Sequence, residues 1–460
     1  MKHYIILLLS FVSSLTLFAE SLPRVDLHYT TFAADTFNVG SFRFVNGTDT
    51  ISLGMKVRHR GATSLMYDKP SYAIKLIDSL GNNFDASFLG MREDNYWILD
   101  AMASDKARMR NRVSLDLWLA FSRKPWYAEL EPKMINGYRG EMVEVYVNDQ
   151  PYGIYCLMER VDRKQLKLKK YSEKKGVQGL LYKNTSWTLL ARYWIDYRNP
   201  RPDTSMVWDG WEQKEPDPED GEPISWQQLE HHVNVCRKTT GKAYPDTLKL
   251  HLDIPVFVDY VLFTQLLSAR DNVNKNRYLS FYNANIDQRA LYTPWDLDHS
   301  WGRQYNSIEE ATDAQLSWES NYLYIRMMSY YGLQDTLEAR YAELRKHYFT
   351  IDYIDALFAP YFEQFAQTGM DTIEQKIWSG HNDISFDIAS EQAYIHNWVV
   401  ARLAYLDEYY HYSPDTPSVL ITLPASATET CLPPTKQLQD GHLYIRQSDH
   451  LYDCLGRLIQ

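Results

Sequence analysis

Apolar and polar residues alternate along positions 20–90, the period of strands with one buried face. Ser41-Phe42-Arg43-Phe44-Val45 alternates and runs into Asn46-Gly47, a pair suited to a tight hairpin. Ile51 to His59 and Tyr72 to Ile77 alternate as well, with Arg60-Gly61-Ala62-Thr63-Ser64 between them and a further turn at Gly81-Asn82-Asn83. The period then lengthens. Met109, Val113, Leu117 and Ala120 share one face of a helix capped by Ser104 or Asp105 and running to about Phe121. Met142 to Val147 and Gly153 to Met158, around Asn148-Asp149, predict a second hairpin.

From Arg160 onward helical spacing dominates. The lysines between Lys164 and Lys175 read as a solvated helix face. Residues 196–225, rich in Pro and Asp and carrying Trp208 and Trp211, read as a surface loop or insertion. Ile254 to Leu267 is an apolar helix with Asp253 as cap and Pro255 in its first turn. Arg277 to Tyr282 and Ala290 to Thr293 are short strands with a turn near Asn285, and residues 308–412 return to helix. Ile395, Trp398, Val399, Arg402, Leu403 and Leu406 fall on one helical face. Ser413 to Pro417 reads as a linker, and residues 418–460 as short β-type pieces.

Composition narrows the class. With 460 residues, 45% apolar and 23% charged, the chain matches an ordinary globular protein of two lobes or domains. Its 35 Tyr and 13 Trp are most simply a Tyr-rich core, the alternative being an aromatic sugar-binding face. A net charge of −11 and the lack of a basic run make nucleic acid a poor partner. Met1-Lys2-His3, an apolar run from Tyr4 to Phe18, and Ala19 predict an export signal over 1–19, hence a periplasmic, cell-surface or extracellular protein with no other membrane segment. Cys156, Cys236, Cys431 and Cys454 lack metal-ligand spacing; the last two are able to bridge in an oxidising compartment, and the first two read equally well as buried thiols.

The candidate chemistry lies in Arg270-Asp271-Asn272-Val273-Asn274-Lys275-Asn276 and Pro294-Trp295-Asp296-Leu297-Asp298. A carboxylate stands five residues before an asparagine, and two carboxylates return after a hairpin. Asp271 follows an apolar helix, a rigid place for an acid that accepts a proton from a hydroxyl. Asn276 offers an amide oxygen, a hard ligand suited to Mg²⁺. Asp296 is projected from a strand end toward metal and phosphate, with Asp298 on the same side if the strand continues. Upstream, Lys75 sits on an alternating strand, able to meet phosphates as a point charge, with Arg58, Arg60 and Gly61 adding cationic and backbone contacts.

The chain resembles the CotH-type spore-coat kinase family, an atypical branch of the protein-kinase fold. The matching pieces are Val57-Arg-His-Arg-Gly-Ala-Thr-Ser64, Lys69-Pro-Ser-Tyr-Ala-Ile-Lys-Leu76, Trp97-Ile-Leu-Asp100, Asp105 with Met109-Arg-Asn111, Val147-Asn-Asp-Gln-Pro-Tyr-Gly-Ile-Tyr155 with Glu159, Asp271 to Asn276, and Trp295-Asp-Leu-Asp298. They run in family order from about 40 to 405. The resemblance implies an α+β, two-lobed protein-kinase-like fold: a β-rich N-lobe over 20–160, a mainly helical C-lobe over 161–412, and a short β-type tail over 413–460. It implies transfer of the ATP γ-phosphate, with Mg²⁺ or Mn²⁺, to serine or threonine of a secreted or surface protein. Asp271 would be the catalytic aspartate, Asn276 and Asp296 metal ligands with Asp298 as second ligand or support, Lys75 the nucleotide lysine, and Met158 and Glu159 neighbours of the interlobe hinge.

The multi-glycine loop of ordinary kinases is missing, Leu297-Asp298 stands where Phe-Gly is usual, and neither Asp105 nor Asp116 is a compelling partner for Lys75. Arg110 and Asn111 are alternative organisers of that corner. The tail pieces Gly441 to Arg446 and Leu451 to Arg457 resemble sorting signals, or form a small hairpin. Two other functions fit the sequence: a silent kinase-fold binding module holding glycan or protein with Trp208 and Trp211, and a metal-assisted hydrolase, which lacks an evident nucleophile.

Overall fold

The structure, a computed structural model, describes residues 21–30, 36–61, 63–194, 199–381 and 386–414, and the backbone of three strands beyond them. Residues up to Ser413 form one compact unit and Pro414–Gln460 another. The expected export signal, Cys431 and Cys454 lie outside the described residues.

Seven strands close into a barrel: β1 (Arg24–His28), β2 (Asn38–Asn46), β3 (Asp49–Arg60), β4 (Ser71–Ile77), β5 (Tyr96–Asp100), β6 (Gly140–Val147) and β7 (Gln150–Met158), in the order β1-β2-β3-β4-β5-β7-β6. All neighbours are antiparallel except β1 and β6, whose parallel pairing makes the seam. The two expected hairpins are β2–β3, with Gly47 at φ +57°, and β6–β7, where Asn148 and Asp149 both take positive φ. Strand alternation sorts β4: Tyr72, Ile74 and Leu76 fill the barrel with Met55, Val57, Trp97, Leu99 and Leu157, leaving Ala73 and Lys75 on the outer face. That the strands close was not foreseen. Alternation gives each strand a buried face and says nothing about which distant strands pair.

Helix α1 (Arg110–Phe121) lies between β5 and β6 in sequence and starts later than expected. Residues 101–109 turn instead, and Asp105 acts from that turn, its carboxylate accepting the N–H groups of Met109 and Arg110 at 2.8 and 2.7 Å. The helix is buried on nearly every side, but Ala120, assigned to its apolar face, is exposed. Packed between the barrel and the rest of the unit, it has little polar face to show.

A second sheet, ordered β12-β11-β8-β10-β9, is built from β8 (Leu180–Asn184), β9 (Val207–Trp208), β10 (Trp211–Glu215), β11 (Arg277–Phe281) and β12 (Ala290–Pro294). The Pro- and Asp-rich stretch is therefore partly sheet. Trp208 and Trp211 are 6% and 0% exposed, so neither offers a face to glycan. Their indoles pack in the core, Trp211 under the Arg277 guanidinium. The Lys164–Lys175 segment holds only one helical turn, α2 (Arg163–Leu166); Lys164 is solvated from it, and Lys170, Lys174 and Lys175, also solvated as expected, lie outside any helix.

The remaining helices are α3 (Gln227–Lys238), α4 (Tyr244–Lys249), α5 (Ile254–Leu267), α6 (Tyr322–Tyr330), α7 (Leu333–Leu344), α8 (Ile351–Thr368), α9 (Met370–Trp378) and α10 (Ile388–Tyr409). Asp253 caps α5, accepting the Val256 N–H, and the expected α10 face is buried. This part and α1 enclose a second hydrophobic core, separate from that of the barrel, and Tyr residues are prominent in it. Cys156 and Cys236 are buried free thiols. No helix among the described residues is long and apolar enough to cross a membrane.

A buried charge cluster ties the barrel to α9. Glu374 accepts from Lys69 Nζ at 2.6 Å, from Arg108 Nε at 2.9 Å and from the Ile154 N–H at 2.8 Å, with all three side chains fully buried. The tail unit is a three-stranded antiparallel sheet of β13 (Thr435–Gln439), β14 (His442–Gln447) and β15 (His450–Tyr452). The α+β class, with strands first and helices dominating later, is as the sequence indicates.

Candidate functional site

A cavity of about 550 Å³ opens between the outer face of β3–β5, the start of α1, and the loops flanking β11 and β12. Asp271, Asn276, Asp296 and Asp298 all line it, as do Arg60, Gly61 and Met158.

The loop carrying Asp271 and Asn276 is held from several sides. Helix α5 ends at Ser268 in the left-handed region, and Asp271–Val273 forms a single 3-10 turn. Tyr260 Oη donates to the Asn272 carbonyl at 2.6 Å, and Asn272 Nδ2 donates to the carbonyls of Asn276 and Trp295, both at 2.8 Å. Asn274 is bonded to Asn321 and Ser320. Within this frame Asp271 Oδ1 accepts Trp187 Nε1 at 3.1 Å, and Oδ2 lies 3.3 Å from Lys275 Nζ. The carboxylate stays partly open to the cavity.

Asn276 and Asp296 face each other across the base of the β11–β12 hairpin. Both have positive φ, 50° and 60°, a conformation uncommon for residues with a side chain and often retained where function requires it. Asn276 Nδ2 reaches the Asp296 carbonyl at 3.5 Å. Two residues on, Asp298 Oδ2 accepts Ser104 Oγ at 2.5 Å, with His299 Nε2 at 3.7 Å.

Asp296 points into the cavity, reachable by water but walled by protein. Those walls first, and then the Asp298 carboxylate beside it, push its carboxyl up to about 6, against the pull of Lys183 and His299. No side-chain hydrogen bond satisfies it among the described residues. An oxygen pair under such mutual repulsion favours a cation. Those residues contain no group of three His, Cys, Asp or Glu able to hold a metal. The Asn276, Asp296 and Asp298 oxygens therefore make a sparse, hard set, which fits Mg²⁺ because that ion retains waters and takes phosphate oxygens as ligands.

Two expected residues are placed elsewhere. Lys75 opens into an adjoining cavity of about 420 Å³, its ammonium 4.9 Å from the Phe37 ring centre and 5.3 Å from that of Tyr96. Neither Asp105 nor Asp116 pairs with it: Asp105 binds Arg110 and Asp116 binds Arg112. Glu159 lines neither cavity. It is 1% exposed, and its oxygens take the Arg139 guanidinium, the backbone N–H groups of Arg92 and Arg139, and Gln165 Nε2. At Gly61 the need for glycine is physical: φ is +122°, and a Cβ would lie 1.7 Å from Ser64 Oγ.

The cavity also contains Lys183, which sequence patterning did not single out, and Asp100 and Asn111 from the family-like pieces. Lys183 on β8 lies against it, and burial, followed by nearby Arg60, pushes its ammonium down to about 8. Asp100 closes the end of β5, its carboxylate accepting Ser71 Oγ and Asn111 Nδ2. Asn111 Oδ1 in turn accepts Tyr138 Oη at 2.8 Å and the Leu297 N–H at 3.1 Å, so it does organise this corner. Arg110 sits deeper, between Asp105 and Glu391. The one sequence signal for Lys183 is a lysine that follows the apolar run Leu180-Leu181-Tyr182.

Two comparisons bear on identity. Inner spore coat protein H of Bacillus subtilis (strain 168) is 23% identical over 330 residues, covering 68% of this chain and 76% of that protein. The family described as CotH kinase protein matches residues 57–406, the span that holds most of the barrel, the second sheet and every residue of the cavity. The chain belongs to the CotH kinase protein family.

Proposed function

We propose that this chain is an exported, two-lobed kinase that transfers the γ-phosphate of ATP to serine or threonine of a secreted or surface protein. The barrel would be the N-lobe, the second sheet and helices the C-lobe, and the cavity the nucleotide cleft. The reading is supported by one observation above all: Asp271, Asn276, Asp296 and Asp298, separated by up to 27 positions, share one cavity that also meets the barrel's outer face.

In this reading Asp271 accepts the proton of the acceptor hydroxyl, oriented by Trp187 Nε1 and paired with Lys275. The oxygens of Asn276, Asp296 and Asp298 hold Mg²⁺, or Mn²⁺, which when bound neutralises phosphate charge. Arg60 and the Gly61 turn meet the phosphates, and Met158 lines the wall near the base. Asn276 and Asp296, both with left-handed backbone, line the cavity together, so little reorganisation would be required when nucleotide binds. Export and a surface location rest on the apolar N-terminal run and on the coat location named for the Bacillus relative.

Nucleotide binding by the full chain, measured by calorimetry with and without Mg²⁺, tests this reading. Metal-dependent binding of ATP supports it. Binding of neither ATP nor ADP under either condition rejects it.

A further inference from the structure

Lys183 belongs to a strand of the second sheet and lines both this cavity and the adjoining one that holds Lys75. Register places it beside Tyr278 of β11 and Glu212 of β10. Lys183 lines the same cavity as Asn276 and Asp296. The charged groups that bear most on Asp296 are Asp298, Lys183, His299 and Asp100, and Lys75 does not line the cavity that holds it. Among the described residues the Lys183 side chain makes no hydrogen bond and no ion pair, though it is walled on most sides. Its ammonium lies 5.6 Å from the centre of the Trp295 ring, and the Arg60 guanidinium lies the same distance from that centre.

Both cations line one cavity beside the same ring, and two cations with no carboxylate bonded to either favour an anion within reach of both. Arg60 is free of carboxylate partners among the described residues, as Lys183 is. Lys75 is differently placed: it lines only the adjoining cavity, its ammonium beside the Phe37 and Tyr96 rings. Resting on the kinase reading above, we propose that Lys183, with Arg60 beside the same Trp295 ring, is the cation that binds the nucleotide's phosphates, in place of Lys75. A lysine on the sheet that also carries the metal-ligand hairpin would move with Asp296, and its distance to the phosphates would not depend on the barrel's position.

The full chain and its Lys183→Met, Lys183→Arg and Lys75→Met variants are titrated with adenosine, ADP and ATP in Mg²⁺, with thermal unfolding of each. A charge-assisted contact to phosphate is worth roughly ten- to a hundredfold in affinity. The expected result is a loss of that size for ADP and ATP in Lys183→Met, adenosine binding as in the wild type, substantial recovery in Lys183→Arg, and a smaller loss in Lys75→Met. ATP affinity unchanged in Lys183→Met, or a larger loss in Lys75→Met, overturns the assignment. Equal losses of adenosine and ATP in Lys183→Met, with lowered thermal stability, also overturn it, since the residue would then be structural. A wild-type chain that binds no nucleotide overturns the kinase reading itself, a result separable from the others because it precedes any substitution.

Discussion

Asn111 and Leu297 stand 186 positions apart, and the side-chain oxygen of the first accepts the backbone N–H of the second at 3.1 Å. The same amide donates to Asp100 and accepts from Tyr138, so one side chain joins the end of a barrel strand, the first helix and the residue between the two cavity aspartates. Replacing Asn111 by Ala removes all three contacts and leaves a buried phenol and a carboxylate short of partners. The expected cost is about 2–4 kcal/mol of unfolding free energy by denaturant titration. Because Leu297 is flanked by Asp296 and Asp298, Mg²⁺-dependent nucleotide affinity falls as well.

Asp271 and Asp296 are expected to fail differently. Asp271→Asn keeps the shape of the loop but removes the proton acceptor, so transfer from labelled ATP drops by roughly 10²–10⁴ while nucleotide affinity is nearly retained. Asp296→Ala instead abolishes the Mg²⁺-dependent part of ATP binding. The two outcomes are read by parallel binding and transfer assays, and identical behaviour of the two variants contradicts the division of roles.

The Lys69–Glu374–Arg108 cluster gives a stability prediction that is independent of catalysis. Glu374→Gln leaves two fully buried cations without their counter-charge. Removing one partner of a buried ion cluster costs about 3–5 kcal/mol. Chemical unfolding should show this loss, and a loss below about 1 kcal/mol would mean that the cluster relaxes or hydrates.

Acid should weaken the fold through His232. Burial pushes its imidazole down to about 3, with Tyr193 Oη 2.9 Å from Nε2. The unfolded chain, with the ordinary value near 6.5, binds a proton there at pH values where the folded chain does not. Stability from this group is full above about pH 6.5 and is lost as pH falls toward about 3. Between pH 7 and 5 the loss is roughly 2 kcal/mol. His232→Asn should flatten that part of the stability–pH curve.

Local pattern settled a good deal of this protein. Alternation and the Asn46-Gly47 and Asn148-Asp149 turns defined the two barrel hairpins, because a strand's period and a left-handed turn are properties of neighbouring residues. The cap at Asp253, the apolar run to Leu267 and the spacing of Asp271, Asn276, Asp296 and Asp298 put four candidate side chains on structures whose geometry follows from the sequence itself, and these four meet in one cavity. Tertiary structure decided the rest. Parallel pairing of β1 with β6 closes the barrel between segments with no local signal for each other. Long-range packing buries Trp208 and Trp211 and engages Glu159 with Arg139. It also sets Lys183, rather than Lys75, in the cavity with Asp296. Which cation faces which carboxylate depends on strand register between distant segments, and a side chain's period cannot encode that.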